Sequence, residues 1–156
     1  MSSKIPEDAL ARKQILYGVS LLIGIDEAAF TLLATLSTES TLGARQVIVR
    51  QGDLGTKLFV IVKGEVRVLR QGRQGDVEVA RMRAGDFFGE MCILERLPRS
   101  ATVESLTDCH LVLLSYAAFD ILFEKLPLEH HRVLGNIARA LSARLRDLGD
   151  DFALRS

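Results

Sequence analysis

The apolar residues of this chain follow a helical period up to about Ser37 and a strand period after it. Residues 8–17 predict a helix with Leu10, Ile15 and Leu16 as its apolar positions and Gly18 at its end. A second helix is expected to start at Asp26, a good N-cap, and to turn Ala29, Phe30, Leu32, Leu33 and Leu36 inward. Residues 1–7 are polar, carry a proline and read as a loose lead-in. Beyond Ser37 come short strands: 47–49, closed by Gln51-Gly52-Asp53, then 58–62, then 65–69, which alternates apolar and polar. Residues 70–75 look like a hairpin tip from which 77–82 returns, and Val103 and 110–114 supply the closing strands. Short strands separated by glycine-bearing turns point to an antiparallel jelly roll or barrel.

After this block Ser115 is placed to cap a helix over 116–126, with Phe119, Leu122 and Phe123 inward. Pro127 then opens a long helix, about 128–148, stopped by Gly149, with Leu134, Ile137, Ala138, Leu141, Leu145 and Leu148 as one stripe. Its first half is expected to pack onto the barrel. Leu134, Leu141 and Leu148 are also spaced by seven, although two heptads are few for a coiled coil. The fold class expected is α+β, a β jelly roll or barrel flanked by N-terminal and C-terminal helices. The segments are a helical lead-in (1–36), the β-roll (37–115), hinge and final helices (116–149) and a tail (150–156).

Composition narrows the chemistry more than the fold. In 156 residues, 48% hydrophobic, one domain can bury a core. Twenty basic residues balance twenty acidic ones, so no whole-chain field draws nucleic acid or an acidic membrane. The two cysteines, Cys92 and Cys109, have no metal-ligand spacing and read as free thiols. Apolar runs fall well below the ~20 residues of a membrane span, and no export signal is visible, so a cytoplasmic location is expected.

Residues 85–103 are where chemistry concentrates. Phe87-Phe88 lead into Gly89, which permits close approach of backbone to a ligand, and 90–94 have room for one helical turn. The first amides of such a turn, near Met91 and Cys92, lack intrahelical partners and suit an anion. Arg99, after Pro98, can fork onto two phosphate oxygens. Glu90 would repel a phosphate but suits a sugar hydroxyl, so the set describes a ribose with a phosphate attached. The plain alternative is a surface ion pair between Glu90 and Arg99 beside an ordinary β-bulge.

The order Phe88-Gly89-Glu90-Met91-Cys92, then Pro98-Arg99-Ser100-Ala101-Thr102-Val103, resembles the phosphate-binding cassette of cyclic-nucleotide-binding domains. Gly52-Asp53, Phe59-Val60-Ile61 and Gly64-Glu65-Val66 resemble that family's first hairpins. The resemblance extends to the sensor and regulatory domains of cyclic-nucleotide-gated channels, cAMP-dependent kinase regulatory subunits and catabolite activators. It implies that Glu90 holds the ribose 2′-hydroxyl and Arg99 the cyclic phosphate, assisted by Gly89, Met91, amides near Cys92, and Ser100. Cys92 departs from the family's usual alanine. The ligand implied is cAMP, with cGMP as the alternative, since a hydroxyl at Ser100 is compatible with either purine. No further cofactor is expected.

A cupin-type metal site is disfavoured, because only His110 falls on a predicted strand and His130 and His131 are adjacent on a helix. No phosphate-loop or nucleophile-elbow motif occurs, so no enzyme activity is expected. The competing reading is the sensor part of a catabolite-activator-like regulator; only seven residues follow Gly149, so its DNA-binding domain would lie outside this chain. Arg139, Arg144 and Arg146, with acidic neighbours, read as a solvated helix face. The expected function is therefore a cyclic-nucleotide sensor without metal, direct nucleic-acid contact or membrane span, existing as a homodimer or fused to an effector. Its last helix is expected to swing over the base about Pro127, with Leu134 and Ile137 as the lid.

Overall fold

The computed structural model describes residues 7–155, apart from the side chains of Cys92, Phe152 and Arg155. The expected lead-in therefore falls outside the described residues except for Glu7, which begins α1 (Glu7–Leu16). A 3-10 turn (Ser20–Leu22) and α2 (Glu27–Leu36) follow. Asp26 caps α2 as expected, its carboxylate accepting from the Ala29 amide at 3.0 Å. Leu10 does not face inward: it is exposed, and Ala9 and Leu16 make the buried edge of α1.

Eight strands form two antiparallel sheets. One has the order β1 (Thr38–Leu42), β8 (Cys109–Ser115), β3 (Lys57–Lys63), β6 (Phe87–Phe88). The other has the order β2 (Val47–Val49), β7 (Thr102–Ser105), β4 (Glu65–Gly72), β5 (Gly75–Arg83). The first sheet is covered on both faces. Leu58, Val60, Phe87, Val112 and Leu114 pack against the helices, while Phe59, Ile61, Phe88, Cys109 and Leu111 face the second sheet. That double burial is why β3 reads as an unbroken apolar run, whereas β4, wet on one side, alternates. Gly64 makes the β3–β4 turn at φ 101°, and a side chain there would collide with the Asp108 carbonyl.

The β4–β5 ladder continues to Gly72 opposite Gly75, so the hairpin tip is shorter than 70–75. β1 went unforeseen because its Thr, Glu and Ser residues carry no apolar alternation; its pairing with β8 defines it.

α3 (Met91–Leu94) is the single turn anticipated between β6 and β7. α4 (Tyr116–Lys125) is capped by the Ser115 hydroxyl, which accepts from the Ala118 amide at 3.2 Å. Ser115→Ala should lower the unfolding free energy by about 1 kcal/mol, measured by denaturant titration. Phe119 and Leu122 are buried, but Phe123 is exposed and meets the His130 ring edge-on. α5 (Pro127–Arg155) runs straight through Gly149, so the expected tail is helical as far as the described residues reach. One glycine without a following proline weakens a helix by only about 1 kcal/mol, too little to end this one.

The first half of α5 is fastened to the 3-10 turn and the segment that joins it to α2. Glu129 Oε2 accepts from the Asp26 amide at 2.8 Å. Asn136 Nδ2 donates to the carbonyls of Leu21 and Ile23 at 2.8 and 2.9 Å, and Arg132 donates to that of Gly24 at 3.1 Å. Val133 and Ile137 are buried beneath these bonds, whereas Ala138, Leu145 and Leu148 are exposed. Among the described residues no helix is long and apolar enough to cross a membrane, and no group of three His, Cys, Asp or Glu is placed to hold a metal ion.

Candidate ligand-binding site

β6 delivers the chain to Gly89, which adopts φ 88°, a conformation that a side chain resists. A Cβ there would also stand 2.6 Å from Arg99 Nη1 and 2.8 Å from the Lys57 carbonyl. The amides of Ile93 and Leu94 both turn back to the Glu90 carbonyl, at 3.0 and 3.3 Å. Helix geometry leaves the preceding amides, Met91 and Cys92, without an intrahelical acceptor. Above this turn opens a cavity whose polar wall comprises Gly89, Glu90, Arg99 and Ser100, with Met91 beside them. Val49, Val68 and Val103, from the second sheet, make its apolar side.

Arg99 is held at both ends. Its amide donates to the Asp53 carbonyl at 2.8 Å and its carbonyl accepts from the Gly52 amide at 2.9 Å. Leu54 and Pro98 form a β-bridge beside these bonds. The guanidinium lies over the Phe59 ring, 5.7 Å from its centroid, and Nη2 donates to the Lys57 carbonyl at 2.9 Å. Nη1 reaches the Gly89 carbonyl at 3.5 Å, the long limit of a hydrogen bond. Phe59 in turn stacks on Phe88 at 4.9 Å, so the arginine rests on an aromatic pair fixed by the sheet.

Glu90 is buried, which a carboxylate tolerates only with partners. Its partner is Arg144, whose Nη1 lies 2.9 Å from Oε1, while Nη2 donates to the Phe87 carbonyl at 2.6 Å. The same guanidinium covers the Phe87 ring, 4.7 Å from its centroid. Arg144 thus ties the second half of α5 to the cassette and is not on a solvated face. The sign that could have found it is position. Val133, Ile137, Leu141 and Arg144 continue one inward face at helical spacing, and an arginine there requires a buried acceptor.

Of the anticipated residues, Gly89, Glu90, Met91, Arg99 and Ser100 meet around the cavity. Cys92 contributes its backbone to α3; its side chain lies outside the described residues. Leu134 and Ile137 do not meet the cavity: Ile137 is fully buried in the helical core and Leu134 half-buried. Glu90 and Arg99 are not an ion pair with each other, since each has its own partners.

Residues 39–125 match a family model described as the cyclic nucleotide-binding domain. A cGMP-dependent protein kinase of Caenorhabditis elegans is 34% identical over 108 residues, covering 69% of this chain and 13% of the kinase. The cyclic AMP receptor protein of Thermus thermophilus is 36% identical over 107 residues, covering 68% of this chain and 48% of that protein. The chain therefore spans less than half the length of these curated relatives. A cyclic nucleotide-binding domain from Methylobacillus flagellatus superposes with a TM-score of 0.83 at 24% identity, covering 94% of this chain and 86% of that one. The catabolite activator protein of Thermus thermophilus does so with a TM-score of 0.73 at 29% identity, covering 86% of this chain and 62% of that one.

Proposed function

The chain belongs to the cyclic nucleotide-binding domain family, and from that premise we propose that it is a regulatory domain binding cAMP or cGMP through Glu90 and Arg99. The observation that carries this reading is the convergence of a buried carboxylate and a backbone-anchored arginine on one cavity beside a helical turn. Arg99 and the amides of Met91 and Cys92 take the cyclic phosphate, Ser100 assists, and Glu90 accepts from the ribose 2′-hydroxyl. The relatives include a cGMP-dependent protein kinase and a cyclic AMP receptor protein, so calorimetric titration with each nucleotide is the direct test. The reading fails if the chain binds neither. A 2′-deoxy cyclic nucleotide is expected to bind about 1–2 kcal/mol more weakly, because a site built to accept from that hydroxyl is left unmatched. Equal affinity for the ribo and deoxy ligands would remove Glu90 from the role.

The output runs through α5. A carboxylate offers about four acceptor positions, so Glu90 can accept from Arg144 and from a sugar hydroxyl together. Binding then strengthens the attachment of the second half of α5, and docking of α5 strengthens binding by the same factor. This revises the lid. The first half of α5, with Leu134 and Ile137, is fastened to residues 21–26, which argues against Pro127 as a pivot for the whole helix. Amide exchange over residues 140–155 should slow with saturating nucleotide; unchanged protection there would refute the coupling.

A further inference from the structure

We propose that Gly55 is the positioning residue of the anion site, its absent side chain being the seat that keeps the Arg99 guanidinium in place. This rests on the reading that Arg99 meets the phosphate. A Cβ built at Gly55 would collide with Nε, Cζ and Nη2 of Arg99, and with no other group so closely. Gly55 does not occupy the left-handed region, unlike Gly52, Gly64 and Gly89. Its backbone dihedrals therefore tolerate alanine, and the nearest obstacle to a side chain is the arginine.

Three neighbours crowd the side chain: Gly55 against Nε, Cζ and Nη2, Gly89 against Nη1, and the Phe59 ring beneath the guanidinium, while the Lys57 carbonyl accepts from Nη2. An arginine carries several rotatable bonds, and ordering it on binding works against affinity. Arg99 is ordered beforehand by the shape of its surroundings. It also stands between the cassette cavity and a second groove lined by Arg50, Asp53, Leu54, Gly55 and Thr56. A methyl group at Gly55 turns the guanidinium out of the seat. Because the nearest colliding atoms belong to a side chain rather than to the backbone, the protein should adjust without unfolding.

The test uses the full chain, with cAMP and cGMP as probes. Gly55→Ala should melt as the wild type does, and Kd should rise about tenfold as pre-ordering is lost. The added factor for a 2′-deoxy ligand should stay the same, since Glu90 is untouched. In an Arg99→Ala background the Gly55→Ala effect should vanish, because Nε, Cζ and Nη2 are all gone. Wild-type Kd in Gly55→Ala, or an undiminished effect beside Arg99→Ala, overturns the inference. Should Gly55→Ala not fold, the Gly55→Ala/Arg99→Ala double variant decides: folding restored supports the seat, and folding still lost assigns the glycine to the backbone. The Arg99 Nε–H resonance, identified by its loss in Arg99→Ala, should shift in Gly55→Ala without any ligand. A wild type that binds neither nucleotide but shows that shift defeats the proposed function and leaves the seat standing; an unmoved resonance defeats the seat.

Discussion

Arg99→Ala is expected to fold and to lose about 2–5 kcal/mol of nucleotide affinity, roughly thirty- to several-thousand-fold in Kd. Arg99 is the basic side chain on the cavity wall, so its removal leaves the phosphate with amide and hydroxyl donors only. Its backbone bonds to Gly52 and Asp53 survive the truncation, which is why the loop around the site should persist. Arg99→Lys should recover part of the loss, since an ammonium donates as a point rather than a fork. Calorimetry with melting curves separates lost affinity from lost fold. A normally folded Arg99→Ala that binds either nucleotide at wild-type strength would show that the phosphate is held elsewhere.

Arg144→Ala is expected to cost about 2–4 kcal/mol in the docking of α5, somewhat below the figure for a fully buried pair. The discount follows from burial: the Glu90 side chain is 9% exposed but that of Arg144 is 31% exposed. The loss combines a carboxylate left buried without its cation and an aromatic face at Phe87 left uncovered. Exchange should accelerate over residues 140–155 while residues 129–137, held by Glu129, Arg132 and Asn136, stay protected. Nucleotide affinity should fall as well, and Arg144→Ala should abolish the ligand-dependent slowing of exchange. Identical exchange in variant and wild type would mean that the ion pair does not hold the helix. Removing α5 whole is a poorer experiment, because Val133 and Ile137 belong to the core and the truncated chain would lose packing along with coupling.

The sequence determined the elements whose cause is local. Asp26 and Ser115 announce their helices because a short polar side chain can accept from an amide three residues on. β3 announces itself as Leu-Phe-Val-Ile-Val because both its faces are covered, and the cassette by a glycine, an acid and an arginine in fixed order. Where the cause is distant, the sequence was silent. β1 exists because β8 pairs with it, and Gly149 passes for a stop until the helix runs on. Leu134 and Ile137 read as a lid because a stripe gives the inward face of a helix but not what lies opposite. Arg144 read as solvated because its charge says nothing of a carboxylate 54 positions away. Likewise nothing in the sequence sets Gly55 apart, and only the path of the Arg99 side chain shows what its missing methyl leaves room for. Local capping and periodicity act within a few residues and are written in order along the chain, whereas charge pairing and steric room depend on which surfaces meet. That is fixed when the helices close over the sheet.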